Sequence, residues 1–90
     1  IERIVELKLE ELAGRLREQG IEPEVTAAAK GLLAEKGYSP DYGARPLQRV
    51  IQNELENELA LWIIDGKLKE GDTVRIDASG ERFTFEVLSQ

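Results

Sequence analysis

The sequence contains no cysteine and no histidine. The first absence excludes a disulfide framework and thiolate chemistry; the second removes the commonest general base and the commonest metal ligand. No uninterrupted apolar run approaches the roughly 20 residues of a membrane-spanning helix, and no charged-then-apolar leader opens the chain. A Walker-type glycine cradle is missing, and the acidic cluster Glu70-Gly71-Asp72 lacks the alternating spacing of a calcium loop. Positive charge is in the minority: 12 Lys and Arg against 18 Asp and Glu give a formal charge of −6. That balance argues against a general nucleic-acid or anionic-membrane binder, because neutralising phosphates needs a basic face. What remains is one small domain, expected to be soluble and intracellular. A chain of 90 residues buries roughly 60% of its unfolded surface, enough for a single core.

The pattern along the chain is helical first. Ile1, Ile4, Val5, Leu9, Leu12, Ala13 and Leu16 fall at helical spacing over residues 1–17, and Gly20 ends the segment. No capping residue precedes the pattern, so the segment is expected either to belong to something longer or to fray in its first turn. Residues 21–25 alternate apolar and polar as a short strand, and Pro23, which lacks an N–H, places it at a sheet edge. Thr26 is the predicted N-cap of a second helix over 27–36, with Ala29, Leu32 and Leu33 inward and Gly37 as a left-handed stop.

Residues 38–43 (Tyr-Ser-Pro-Asp-Tyr-Gly) form a turn-rich loop, and Pro46 fits the first position of a third helix. Leu47, Val50, Ile51, Leu55, Leu59, Trp62 and Ile63 make one stripe along that helix, while Glu54, Glu56 and Glu58 read as a solvated face. Its last turns, 59–64, are apolar nearly all round and are expected to be buried on more than one side; Asp65-Gly66 closes them. Residues 73–78 and 82–88 each alternate, with Val74, Ile76 and Ala78 and then Phe83, Phe85 and Val87 on one face. Ser79-Gly80 between them predicts a β-hairpin.

Catalysis by this chain alone is not expected, since nucleophile–base pairs built on His or Cys are absent. The distinctive constellation is residues 38–47, where Arg45 stands at a helix start. A guanidinium there opposes the helix dipole, an arrangement that makes sense if an anion sits against it, because arginine grips a phosphoryl group with a planar fork of donors. The simpler reading has Arg45 pairing with Asp41 or pointing into water. Tyr38 and Tyr42 either pack the loop down, hold Arg45, or meet a neighbouring domain. Trp62 is either core or a partner contact.

Gly43-Ala44-Arg45-Pro46-Leu47, followed by Arg49-Val50-Ile51-Gln52, resembles the sensor-2 motif of the Clp/heat-shock AAA+ unfoldases. The resemblance covers essentially all ninety residues: Ile4-Val5 with Leu7 and Leu9, residues 21–26, the Leu32-Leu33-Ala34 helix before Gly37-Tyr38, and the hairpin after Gly71-Asp72. It is greatest to the C-terminal small (lid) domain of the second ATPase module of ClpB-type disaggregases; the ClpC and ClpA partners of the Clp protease share the motif. Two positions depart from the family pattern. Many relatives carry a proline shortly before the Leu-Ala of the third helix, where this chain reads Glu56-Asn57-Glu58, and Pro23 replaces a frequent aliphatic residue.

The resemblance implies an α+β lid of three helices on a three-stranded sheet that includes the C-terminal hairpin, a single domain over 1–90. It implies that Arg45, supported by Gly43, Ala44 and Pro46, reaches the phosphates of ATP held with Mg mainly by a separate large domain. It further implies a hexameric ring, with Tyr42, Leu61, Trp62 and Ile64 as contact candidates. Unfolded or aggregated protein substrates, an Hsp70-type co-chaperone system and a cytoplasmic location follow from the same likeness, with no nucleic-acid or membrane partner. The alternative of another class is a winged-helix binding module, whose third helix would enter the major groove; Glu54, Glu56 and Glu58 on that helix oppose it.

Overall fold

The computed structural model describes residues 2–88. The elements run α1 (Glu2–Glu18), β1 (Glu22–Val25), α2 (Ala27–Gly37), α3 (Arg45–Val50), a π-helical stretch (Ile51–Glu56), α4 (Asn57–Ile64), β2 (Thr73–Ser79) and β3 (Arg82–Leu88). The fold is α+β: three helices, the third made of α3, the π stretch and α4 in sequence, pack on a mixed three-stranded sheet of order β1-β2-β3.

Helix α1 turns its stripe inward as the spacing predicts, with Val5, Leu9, Leu12, Ala13 and Leu16 buried. Ile4 departs from that expectation at 41% exposure, and Ile1 lies outside the described residues. The helix ends in a Schellman turn: the Gly20 N–H donates to Arg17 O at 2.9 Å and the Ile21 N–H to Leu16 O at 3.0 Å. Gly20 supplies the required positive φ of 78°, and Ile21 drops into the core against Leu16. Gly66 (φ 78°) repeats the device after α4, with Lys67 N–H donating to Trp62 O at 2.9 Å.

Strand β1 pairs parallel with β2 from Glu22↔Thr73 to Val25↔Ile76, and lies at the edge that Pro23 requires. Parallel pairing needs a long crossover, which α2 and the third helix provide. β2 and β3 form the expected hairpin, closed at Ser79↔Arg82. Its inner face carries buried Val74 and Ile76, with Phe83, Phe85 and Val87 half-buried against the core. Leu68, which belongs to no periodic segment, is also buried.

Thr26 joins the helical layer to the sheet. Its hydroxyl accepts the Ala29 N–H at 3.1 Å as an N-cap and donates to Asp77 Oδ1 at 2.7 Å, while the same carboxylate oxygen accepts the Ala78 N–H at 2.8 Å. The Thr26 and Ala78 donors hold the Asp77 carboxyl below its ordinary range.

Gly37 corrects one expectation. It is the last residue of α2 rather than a left-handed stop, and it is needed for space. A Cβ at 37 would lie 2.9 Å from Leu47 Cα and 2.6 Å from Leu47 Cδ1, so α2 and α3 touch here almost backbone to backbone.

The third helix brings two more corrections. Backbone angles stay in the α region across both junctions, at Val50 (φ −61°, ψ −47°), Ile51 (−61°, −45°), Glu56 (−63°, −47°) and Asn57 (−63°, −40°). The helix therefore runs on unbroken through Glu56-Asn57-Glu58, and the Asn57 N–H reaches back five residues to Gln52 O. Glu54 and Glu56 are not a free solvated face. Glu54 accepts Lys36 Nζ at 2.8 Å, and Glu56 takes Arg15 through Nε at 2.7 Å and Nη2 at 3.1 Å. The apolar end is open on one side: Leu59 is buried, but Leu61 is 54% and Ile64 78% exposed. The hairpin covers only the Trp62 side, with the Trp62 and Phe85 ring centroids 5.9 Å apart.

Two glycines of α2 should respond oppositely to alanine. Gly31 has open space where a Cβ would sit, so Gly31→Ala should gain about 0.5–1 kcal/mol from reduced unfolded-state entropy. Gly37→Ala should lose about 1–3 kcal/mol by forcing the two helices apart. Urea unfolding midpoints of the two variants measure both; a Gly37→Ala protein more stable than wild type rejects the close-packing argument.

Acid should act through Asp77. Its folded-state pKa is depressed, so the stability it confers is full above the ordinary aspartate value near 3.9 and is lost as pH falls through the lowered one. Asp77→Asn should therefore show a shallower decline of the urea midpoint below about pH 4 than wild type. Equal slopes would contradict this.

Candidate functional site

The loop between α2 and α3 is folded back on itself. Ser39 and Gly43 form an isolated antiparallel bridge, with Ser39 N–H to Gly43 O at 2.8 Å and Gly43 N–H to Ser39 O at 2.7 Å. The Ser39 hydroxyl accepts the Asp41 N–H at 3.2 Å, and Gly43 turns the chain with φ 63°. The loop is thus braced by its own backbone and Ser39. Tyr38 and Tyr42 do not pack it down; they are 56% and 64% exposed.

Arg45, not Pro46, is the first residue of α3, and Pro46 follows it. The shift is tolerated because none of the first four N–H groups of a helix has an intrahelical acceptor. Ala44 occupies the N-cap without offering a side-chain acceptor. Arg45 N–H reaches Tyr42 O at 3.3 Å, and Leu47 N–H reaches Ala44 O at 3.1 Å. Two residues on, Leu47 is completely buried beneath Gly37. The Arg45 backbone is therefore fixed from both directions while its side chain is exposed.

Among the described residues Arg45 makes no ion pair and no side-chain hydrogen bond, so the pairing with Asp41 is not formed. Arg17, by contrast, donates to Glu10 at 3.1 Å and to Glu22 at 2.9 Å, which lowers the Glu22 carboxyl. Gly43, Ala44 and Pro46 are half-buried around the base of Arg45.

The contact candidates divide between the two ends of the third helix. Tyr42 lies beside Arg45, whereas Leu61 and Ile64 lie in the last turns of α4, roughly 24 to 28 Å away at about 1.5 Å per residue. Trp62 is half-buried: its ring meets Phe85, its Nε1 donates to Glu58 at 3.2 Å, and Lys67 Nζ stands 5.5 Å over its face. It serves the inner side of the helix end, and Leu61 and Ile64 the outer.

A groove of about 410 Å3 between α1 and α2, lined by Arg3, Val5, Lys30 and Ala34, shares no residue with the loop. Arg45 lines none of the four principal grooves among the described residues. No group of three or more acidic side chains among them could hold a metal ion, and no helix there is long and apolar enough to cross a membrane. Sequence reasoning missed the tethers at Glu54 and Glu56, whose basic partners lie 18 and 41 residues away and leave no local signature.

A family model described as the C-terminal, D2-small domain of ClpB protein matches residues 1–76. Chaperone protein ClpB of Rhodopirellula baltica is 52% identical over 85 residues, which cover 94% of this chain and 10% of that protein. ClpB of Bdellovibrio bacteriovorus is 49% identical over 85 residues, with the same coverage. The ATP-dependent Clp protease ATP-binding subunit ClpC of Staphylococcus saprophyticus is 45% identical over 87 residues, covering 97% of this chain and 11% of that protein. The chain thus spans about a tenth of the length of the curated relatives it matches. By sequence match, the chain belongs to the D2-small domain family of the ClpB-type AAA+ chaperones.

Proposed function

We propose that this chain is the lid of an ATPase module in a longer, ring-forming AAA+ chaperone, and that Arg45 is its sensor-2 arginine. The observation that carries the reading is the exposed guanidinium of Arg45 at the start of a rigidly held helix, without a partner among the described residues. An arginine is well suited to a transferring phosphoryl group, whose charge it stabilises with paired donors. ATP and its Mg are held mainly by the large domain, since Arg45 lines none of the four principal grooves among the described residues. Loss of the γ-phosphate releases Arg45 and lets the lid rotate.

Because the guanidinium is carried by a helix seated on the core, that rotation moves the whole lid. Leu61 and Ile64, exposed at the far end of the third helix, contact a neighbouring subunit and pass the motion to the ring. The full protein acts on unfolded or aggregated polypeptides in the cytoplasm together with an Hsp70-type system. The winged-helix alternative is disfavoured, because a groove reader needs a basic recognition helix and this one carries Glu54, Glu56 and Glu58.

In the full-length ATPase, Arg45→Ala should lower ATP turnover on the order of 10²-fold, the scale of losing one transition-state donor. Circular dichroism and melting temperature should be retained, because the side chain is exposed. Wild-type turnover in that variant rejects the assignment. The 90-residue chain alone should bind ATP very weakly or not at all, and calorimetric titration showing micromolar affinity would overturn the division of labour between lid and large domain.

A further inference from the structure

The surface that carries Arg45 holds a second unpaired arginine. Residues 42–53 contain Arg45 and Arg49 and no Asp or Glu, although 18 of the 90 residues of the chain are acidic. Of the 12 basic residues, Lys8, Arg15, Arg17, Lys30, Lys36 and Arg75 are ion-paired, whereas Lys67, Lys69 and Arg82 have no ion pair among the described residues but stand singly rather than one helical turn apart. Among the described residues Arg49, like Arg45, takes part in no ion pair and no side-chain hydrogen bond, and it is exposed.

The spacing aligns the two. Arg49 follows Arg45 by four residues within α3, one turn later on the same helix face, so their Cβ atoms stand about 5–6 Å apart. Two cations at this spacing repel each other, and no carboxylate in the surrounding stretch offsets that repulsion. Leu47, buried between them in sequence, fixes the turn that carries both. A single carboxylate is saturated by one guanidinium fork, whereas a chain of linked phosphoryl groups presents acceptor oxygens at several points along its length.

We propose that Arg49 is a second anion-binding residue that shares with Arg45 one polyphosphate ligand, the phosphate chain of a nucleoside di- or triphosphate. The inference rests on the reading of Arg45 as a phosphate ligand and adds a distinct role. Arg45 answers to the terminal phosphate and its loss; Arg49 contributes affinity for a phosphate chain as such, and so separates di- and triphosphates from a monophosphate.

Equilibrium binding of AMP, ADP and ATP to the full-length ATPase carrying Arg49→Gln tests this, with Arg45→Ala and Arg82→Gln in parallel. Arg82, an exposed arginine on β3, serves as the control for diffuse charge. Arg49→Gln should weaken ADP and ATP by at least roughly two- to fivefold, the scale of one solvent-facing charge contact, and leave AMP and the melting temperature unchanged. Arg49→Lys should recover part of the loss. If Arg49→Gln binds ADP and ATP as wild type does while Arg45→Ala has lost turnover, the inference fails and the sensor-2 reading stands. If Arg45→Ala also behaves as wild type, both fail. If AMP weakens equally, or Arg82→Gln has the same effect, Arg49 contributes only general charge and the inference is overturned.

Discussion

The close approach of α2 and α3 at Gly37 is the constraint on which the rest of the molecule depends. With no side chain at 37, the α-carbon of Leu47 comes to within 2.9 Å of where a Cβ would stand, and the leucine side chain is wholly enclosed. A contact of that kind cannot slide, since any shift meets backbone rather than a pliable side chain. The start of the third helix therefore has one position relative to the core. The Arg45 backbone is thereby held by packed structure rather than by a free loop.

The charged tethers add alignment more than stability. Arg15–Glu56 and Lys36–Glu54 join α1 and α2 to the π-helical stretch of the third helix, and Thr26–Asp77 joins the start of α2 to β2. An exposed ion pair such as Arg15–Glu56 contributes at most about 1 kcal/mol, so the buried leucines, isoleucines and valines carry the fold. What the tethers supply is orientation. Both acids sit between the arginine-bearing end of the helix and its apolar end, so the segment linking the two surfaces is clamped from two sides.

The sequence made legible those features that repeat or that end a repeat. The alternation in 73–88 was sufficient for the hairpin, and the helical spacing of Val5, Leu9, Leu12 and Leu16 for the first helix and its buried face. Pro23 located an edge, while the pairing of β1 with β2, fifty residues downstream, was visible only through the family likeness. Isolated features stayed hidden. Leu68 stands between two lysines and has no period, yet it is fully buried. Periodicity identified the apolar turns at 59–64 but carried no information on what covers them, and here Leu61 and Ile64 are left in solvent. The folded-back loop before Arg45 was legible from the turn chemistry of residues 38–43. The role of Gly37 was not, because a glycine chosen for space and one chosen for φ look alike in a sequence.

The parallel pairing of Glu22 with Thr73 has a consequence for how the domain comes into being. The middle strand of the sheet is made on the ribosome only after all three helices, so β1 waits with its hydrogen-bonding edge unpaired while some fifty residues are synthesised. Until then the emerging segment can assemble a helical cluster but no sheet. Completion of the domain is tied to emergence of its final hairpin, and the long loop that must close makes that last step slow beside helix formation.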